Sequence, residues 1–156
     1  MPVRSLNSPV LKWPDRVQVD GAVRAWAEQI GTTHDELLCA GYFGSYARDD
    51  WGVGSDIDLV LVVRESDKPF DRRALDFDAT GLPVPAELLV YTQEEWRRLM
   101  DEAGRFARTL AAETVWVYVR EPSAAQGPAR ISHRGSSRGR RGAGGTGRTD
   151  RSTPKA

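Results

Sequence analysis

The chain has 156 residues, 40% of them hydrophobic, enough for one domain with a core of its own. Its matched totals of 22 Lys/Arg and 22 Asp/Glu hide a division: residues 1–120 carry 14 basic and 20 acidic residues, while residues 121–156 carry 8 and 2. The single cysteine, Cys39, excludes an intramolecular disulfide, and no apolar run reaches the roughly 18 residues of a membrane span or reads as a signal peptide, so a soluble, cytoplasmic protein without membrane contact is expected.

Residues 1–14 contain prolines and no periodicity, and read as a flexible arm. Asp15 to Gln18, "DRVQ", has the form of a capping box, and Val19, Val23, Trp26 and Ile30 then recur on one helical face. The spacing predicts a helix over 16–30, with Gly31 as its stop. Glu36–Phe43, "ELLCAGYF", is short and mostly apolar, as a buried strand would be. Ser45–Arg48 should start a short helix after Gly44, and "DDWGVG" is a loop with two glycines. "DIDLVLVV", residues 56–63, is the second strand. In the polar stretch that follows, Pro69 can open a short helix. Pro85–Thr92 is a third strand, and "TQEE" after it is another capping box. Trp96, Leu99, Met100, Ala103, Phe106, Ala107 and Leu110 then follow at the spacing of one amphipathic helix. Thr114–Val119 is the fourth strand. From residue 121 onward Gly, Arg, Ser, Ala and Pro dominate, which predicts a disordered basic tail with weak non-specific affinity for nucleic acid. The order of elements predicts an α/β (α+β) domain over 15–120.

The second strand raises a chemical question, because it begins with two carboxylates. Asp56 and Asp58 share a strand face about 6–7 Å apart, and Ile57 points the other way. Two acids at the mouth of a buried strand repel each other unless a cation compensates, and Mg²⁺ is a hard cation suited to carboxylate and phosphate oxygens. Glu87, at the start of the third strand, is placed to be a third acid, with Asp76 and Asp78 as rivals. Upstream, Gly44 can take backbone angles closed to other residues. Ser45 follows it with a hydroxyl and free backbone N–H groups suited to phosphate. Arg48 stands one turn on, available to a phosphate or to an exposed salt bridge with Asp49 or Asp50. Trp51 suits a nucleobase or packing under its loop. His34 and His133 are isolated, Cys39 reads as a small hydrophobe, and Ser45 has no histidine to form a triad.

The joined set "GSYARDDWGVGSDIDLVLVV" resembles the Gly-Ser…Asp-x-Asp signature of the DNA-polymerase-β-like nucleotidyltransferases, and within them the minimal nucleotidyltransferases of bacteria and archaea. The resemblance runs from about Asp15 to Arg120. It implies the nucleotidyltransferase fold: a small mixed sheet of about four strands flanked by helices. It implies that Asp56 and Asp58 bind Mg²⁺, that Glu87 is the third acid, helping to hold the metal or deprotonating the acceptor hydroxyl, and that Gly44 and Ser45 hold a triphosphate. ATP is the implied donor, its AMP moving to a hydroxyl acceptor. Two departures stand out: the third acid is commonly Asp rather than Glu87, and the family often has Gly where Asp49 follows Arg48. Relatives that modify antibiotics carry a further helical domain, which the tail cannot supply. That points to an active cleft completed by another chain, as in an antitoxin modifying a small helical ribonuclease toxin. An antibiotic nucleotidyltransferase acting as a homodimer, and a catalytically dead partner-binding module, are the alternatives.

Overall fold

A computed structural model describes residues 12–122. The arm to residue 11 and the tail from residue 123 lie outside the described residues. Of the arm's last residues, Trp13 is tied down, its indole N–H donating to the Tyr46 hydroxyl at 3.0 Å.

Helix α1 spans Arg16–Thr33 and begins with the expected capping box. Asp15 accepts from the Gln18 N–H at 2.9 Å, and Gln18 accepts from the Asp15 N–H at 3.0 Å. These bonds satisfy two groups that every helix start otherwise leaves unpaired. Gly31 is not the stop that the sequence predicted. The helix passes through it to Thr33, and a side chain there would meet the Tyr118 ring at 2.5 Å. Glycine at this position serves close packing between α1 and the sheet.

Strand β1 is Leu37–Phe43, helix α2 Ser45–Arg48 and strand β2 Ile57–Val63. Helix α3, Phe70–Arg73, follows Pro69, which caps it rather than opening its first turn. Strand β3 is Ala86–Thr92, and strand β4 is Val115–Val119. The sheet order is β3-β2-β1-β4, with β1 antiparallel to both β2 and β4, and β2 parallel to β3. The sheet is therefore mixed, with four strands, and helices flank it. This is the nucleotidyltransferase fold.

Strand β2 lies inside the sheet and is covered on both faces, which explains its unbroken Leu/Val run. Leu59, Leu61 and Val63 join the core beneath Val19, Val23, Trp26 and Ile30 of α1. Val60 and Val62 are buried on the opposite face, where Ala107 and Leu110 are also buried. Each such side chain withdrawn from water contributes about 1.5–3 kcal/mol before chain entropy is counted.

The single amphipathic helix expected over Trp96–Leu110 is two helices, α4 at Gln93–Glu102 and α5 at Arg105–Glu113. Ala103 takes a left-handed φ of 47°, and Gly104 caps α5. Periodicity alone hid the break, since apolar residues keep a helical spacing across it. The turn lets α4 carry Trp96 between Tyr91 and Trp116, at 5.8 and 5.6 Å, while α5 takes its own direction.

A buried clamp holds α3, β3 and α4 together. Arg73 is only 6% exposed. Its guanidinium donates to both Glu95 oxygens at 2.5 and 3.0 Å, to the Lys68 carbonyl at 2.9 Å and to the Val90 carbonyl at 3.2 Å. At the opposite edge of the sheet, Arg120 donates to the carbonyls of Leu37, Gly31 and His34, pinning the end of β4 to the corner between α1 and β1.

Candidate active site

The acidic strand and the Gly-Ser turn meet at one end of the sheet. Strands β2 and β3 run parallel with Asp58 opposite Glu87, and neighbouring strands lie about 4.8 Å apart. Parallel partners in register share a face, so the two carboxylates stand side by side. Asp56 precedes β2 by one residue and is exposed, while Asp58 is half-buried. Burial raises the Asp58 carboxyl above its usual range, and the nearby charges of Glu87 and Asp56 raise it further; Arg48 pulls weakly the other way. The repulsion inferred from the sequence is therefore present, and Glu87 is one of its two sources.

Asp76 and Asp78 are engaged elsewhere. Asp76 pairs with Lys68, and Asp78 accepts from the Thr80 N–H and hydroxyl at 2.9 and 2.6 Å. Neither figures among the charges acting on Asp58.

Gly44 has φ 76° and ψ −147°, a region essentially reserved for glycine. A methyl group here would also overlap the Asp58 carboxylate. The turn and the acid are thus in direct contact, and one residue, Gly44, makes that contact sterically possible. Gly44→Ala is expected to cost about 1–3 kcal/mol in backbone strain and to push the carboxylate aside. It should lower both the thermal midpoint and activity. Gly81→Ala, where nothing lies within 4 Å, should do neither.

Ser45 opens α2 and is half-buried; Tyr46 behind it is buried and stacks on Trp51, centroids 5.6 Å apart and rings within 4° of parallel. Trp51 therefore packs under its loop. Arg48 is exposed and donates to Asp50 at 3.1 Å and to Glu113 at 2.9 Å, so as it stands it is a salt-bridge residue. Asp49 has a left-handed φ of 61°, a conformation that Asp tolerates better than most residues.

A cavity of about 310 Å³ opens between the acids and α5, lined by Phe43, Asp58, Glu87, Leu89 and Phe106. The sequence did not single out its apolar wall. Phe106 was hidden inside a helical spacing pattern, and nothing in one chain's sequence tells that Phe43 and Phe106 meet.

Among the described residues, no three His, Cys, Asp or Glu side chains are gathered closely enough to hold a metal ion as they stand. The donor chemistry nevertheless fits Mg²⁺. That ion is usually held by one or two carboxylates together with substrate phosphates, not by an all-protein cage. Asp58 and Glu87 supply such a pair, with only the weak pull of Arg48 set against the repulsion at Asp58. No helix among the described residues is long and apolar enough to cross a membrane.

Residues 39–113 match the family model of the nucleotidyltransferase domain. No curated protein matches the chain. Among solved structures, it is similar to a nucleotidyltransferase-type protein of Sulfolobus solfataricus, at 18% identity over 67% of this chain and 84% of that one, with a TM-score of 0.47. It is also similar to a toxin–antitoxin structure with AMP-PNP, at 13% identity over 65% of this chain and 74% of that one, with a TM-score of 0.40.

Proposed function

We propose that this nucleotidyltransferase domain, residues 39–113, moves a nucleoside monophosphate from a nucleoside triphosphate, ATP in the first instance, onto a hydroxyl of a partner protein. The observation that carries the reading is the register of β2 and β3, which sets Asp58 beside Glu87 while Asp58 also touches the Gly44 turn. Triphosphate would lie across that turn, within reach of the Ser45 hydroxyl. Arg48 would have to leave Asp50 or Glu113 to reach a phosphate. Mg²⁺, held by Asp58 and Glu87 with Asp56 turning in, would offset phosphate charge and favour loss of pyrophosphate.

Glu87 is the exposed acid of the pair, placed to accept the proton of an incoming hydroxyl. The hydroxyl oxygen bonds to the α-phosphorus, the bond to the bridging oxygen breaks, pyrophosphate leaves, and the proton passes to Glu87. Exposure at the rim suits a hydroxyl presented by a large acceptor. The acceptor proposed is a small helical protein, with this chain as its antitoxin.

Incubating the chain with ATP labelled at the α-phosphate, with and without the product of an adjacent gene for a small helical protein, tests this. An aminoglycoside runs in parallel. Label on the helical protein supports the proposal, and label on the aminoglycoside moves the acceptor to an antibiotic. Glu87→Gln should lose transfer and retain nucleotide binding, while Glu87→Asp keeps measurable activity. Asp78→Asn should be near silent, as surface changes usually are. An active Glu87→Gln beside a dead Asp78→Asn would reassign the third acid.

A further inference from the structure

The cavity that receives Asp58 and Glu87 is acidic on one side only. Its other lining side chains are Phe43, Leu89 and Phe106. Phe106 is 43% exposed, an unusual degree for a phenylalanine on a helix with buried neighbours at Ala107 and Leu110. Its ring meets that of Phe43 nearly edge-on, at 6.1 Å and 76°. Much of the Phe106 ring is therefore open to the cavity mouth. Trp51, beside the Gly44 turn, is engaged: it lies flat on Tyr46.

From this juxtaposition we propose that Phe106, backed by Phe43 and Leu89, is the platform on which the base of the donor nucleotide stacks. The proposal rests on the nucleotidyl-transfer reading and extends it to the choice of nucleotide. Asp58 touches the Gly44 turn and also lines the cavity. A triphosphate lying along the turn and past Asp58 would deliver its nucleoside into that space. A volume of about 310 Å³ is at the bottom of the usual range for ligand sites, enough for a single substrate moiety.

The lining also sets the expected selectivity. Apart from the two carboxylates, which face the phosphates, no lining side chain carries a hydrogen-bonding group. Nothing among these side chains reads the edge of a base. Stacking is tolerant of base identity and grows with ring area. The site should therefore prefer purines to pyrimidines and barely separate ATP from GTP.

Equilibrium dialysis of the full chain in Mg²⁺ buffer tests the proposal without needing an acceptor. The ligands are ATP, GTP, UTP and inorganic tripolyphosphate. The proteins are the parent, Phe106→Ala and Phe106→Leu, each with its thermal midpoint recorded. ATP and GTP are expected to bind within about threefold of each other and about tenfold tighter than UTP. Phe106→Ala should weaken ATP about tenfold, in the lower part of the range for loss of one base–aromatic stack. Phe106→Leu, which keeps bulk but not the ring, should recover little of it. Tripolyphosphate affinity should not change in either variant. If the parent binds ATP no more tightly than tripolyphosphate, or if both variants bind ATP as the parent does, the base platform is overturned while the phosphate site stands. If the parent binds neither ligand, the transfer reading falls and the platform with it.

Discussion

Asp58→Asn is expected to lower nucleotidyl transfer at least about a hundredfold without lowering the thermal midpoint. Loss of a group that merely supports a metal ligand typically costs 10–100-fold, and a direct ligand should cost no less. The substitution is nearly isosteric, so the close contact with Gly44 is kept. It removes a carboxylate that burial and two neighbouring acids already disfavour in its charged form. Stability should therefore hold or rise. The paired result separates function from structure: a core aspartate needed for folding would lose both. Pyrophosphate release and a thermal melt on the same preparation decide it, and full activity in the variant would remove Asp58 from the site.

The largest stability effect is expected at Glu95. Glu95→Ala leaves the Arg73 guanidinium buried without its counter-charge, a change that typically costs about 3–5 kcal/mol. Glu95 is partly exposed and Arg73 keeps two carbonyl partners, so the lower figure of about 3 kcal/mol applies. In a domain of this size that lowers the thermal midpoint by about 10–20 °C. Glu95→Gln keeps the reciprocal cap with Thr92 and should lose less. The pH dependence follows from the same pair. The hydrogen bonds from Arg73 hold the Glu95 carboxyl at about 2, below its ordinary 4.5. A depressed carboxyl contributes stability that is complete above about 4.5 and is lost as pH falls from there toward 2. The parent should therefore lose stability more steeply than Glu95→Gln between pH 4.5 and pH 2 in denaturant titrations. Parallel curves would show that the clamp contributes nothing.

How far the fold was legible depended on the range of the signal. Capping boxes at Asp15 and Thr92 are local: a side chain reaches a backbone group three residues away, so four letters suffice. The unbroken apolar run of β2 announces a strand buried on both faces, and the acids before it announce unbalanced charge wherever the strand is placed. The Gly-Ser turn, too, declares itself, since few residues other than glycine adopt the angles of Gly44. Gly31 misled because the same lack of a side chain serves two purposes, ending a helix or admitting a neighbour. Only the position of Tyr118, 87 residues away, selects the second.

What the tertiary structure decided is everything that depends on partners far apart in the chain. The register of β2 against β3 chose Glu87 over Asp76 and Asp78 as the neighbour of Asp58, because strand alignment is set by packing and not by any one residue's preference. The break at Ala103–Gly104 turned one predicted helix into two and delivered Phe106 to Phe43. Arg73 looked like one charge among many until folding buried it against Glu95. The sequence by itself determined the acidic strand, the glycine turn and the class of chemistry they suit, since each is written in adjacent residues. The shape of the cavity and the identity of its apolar wall arose only when the sheet and α5 came together, because a cavity is a relation between elements that no local segment contains.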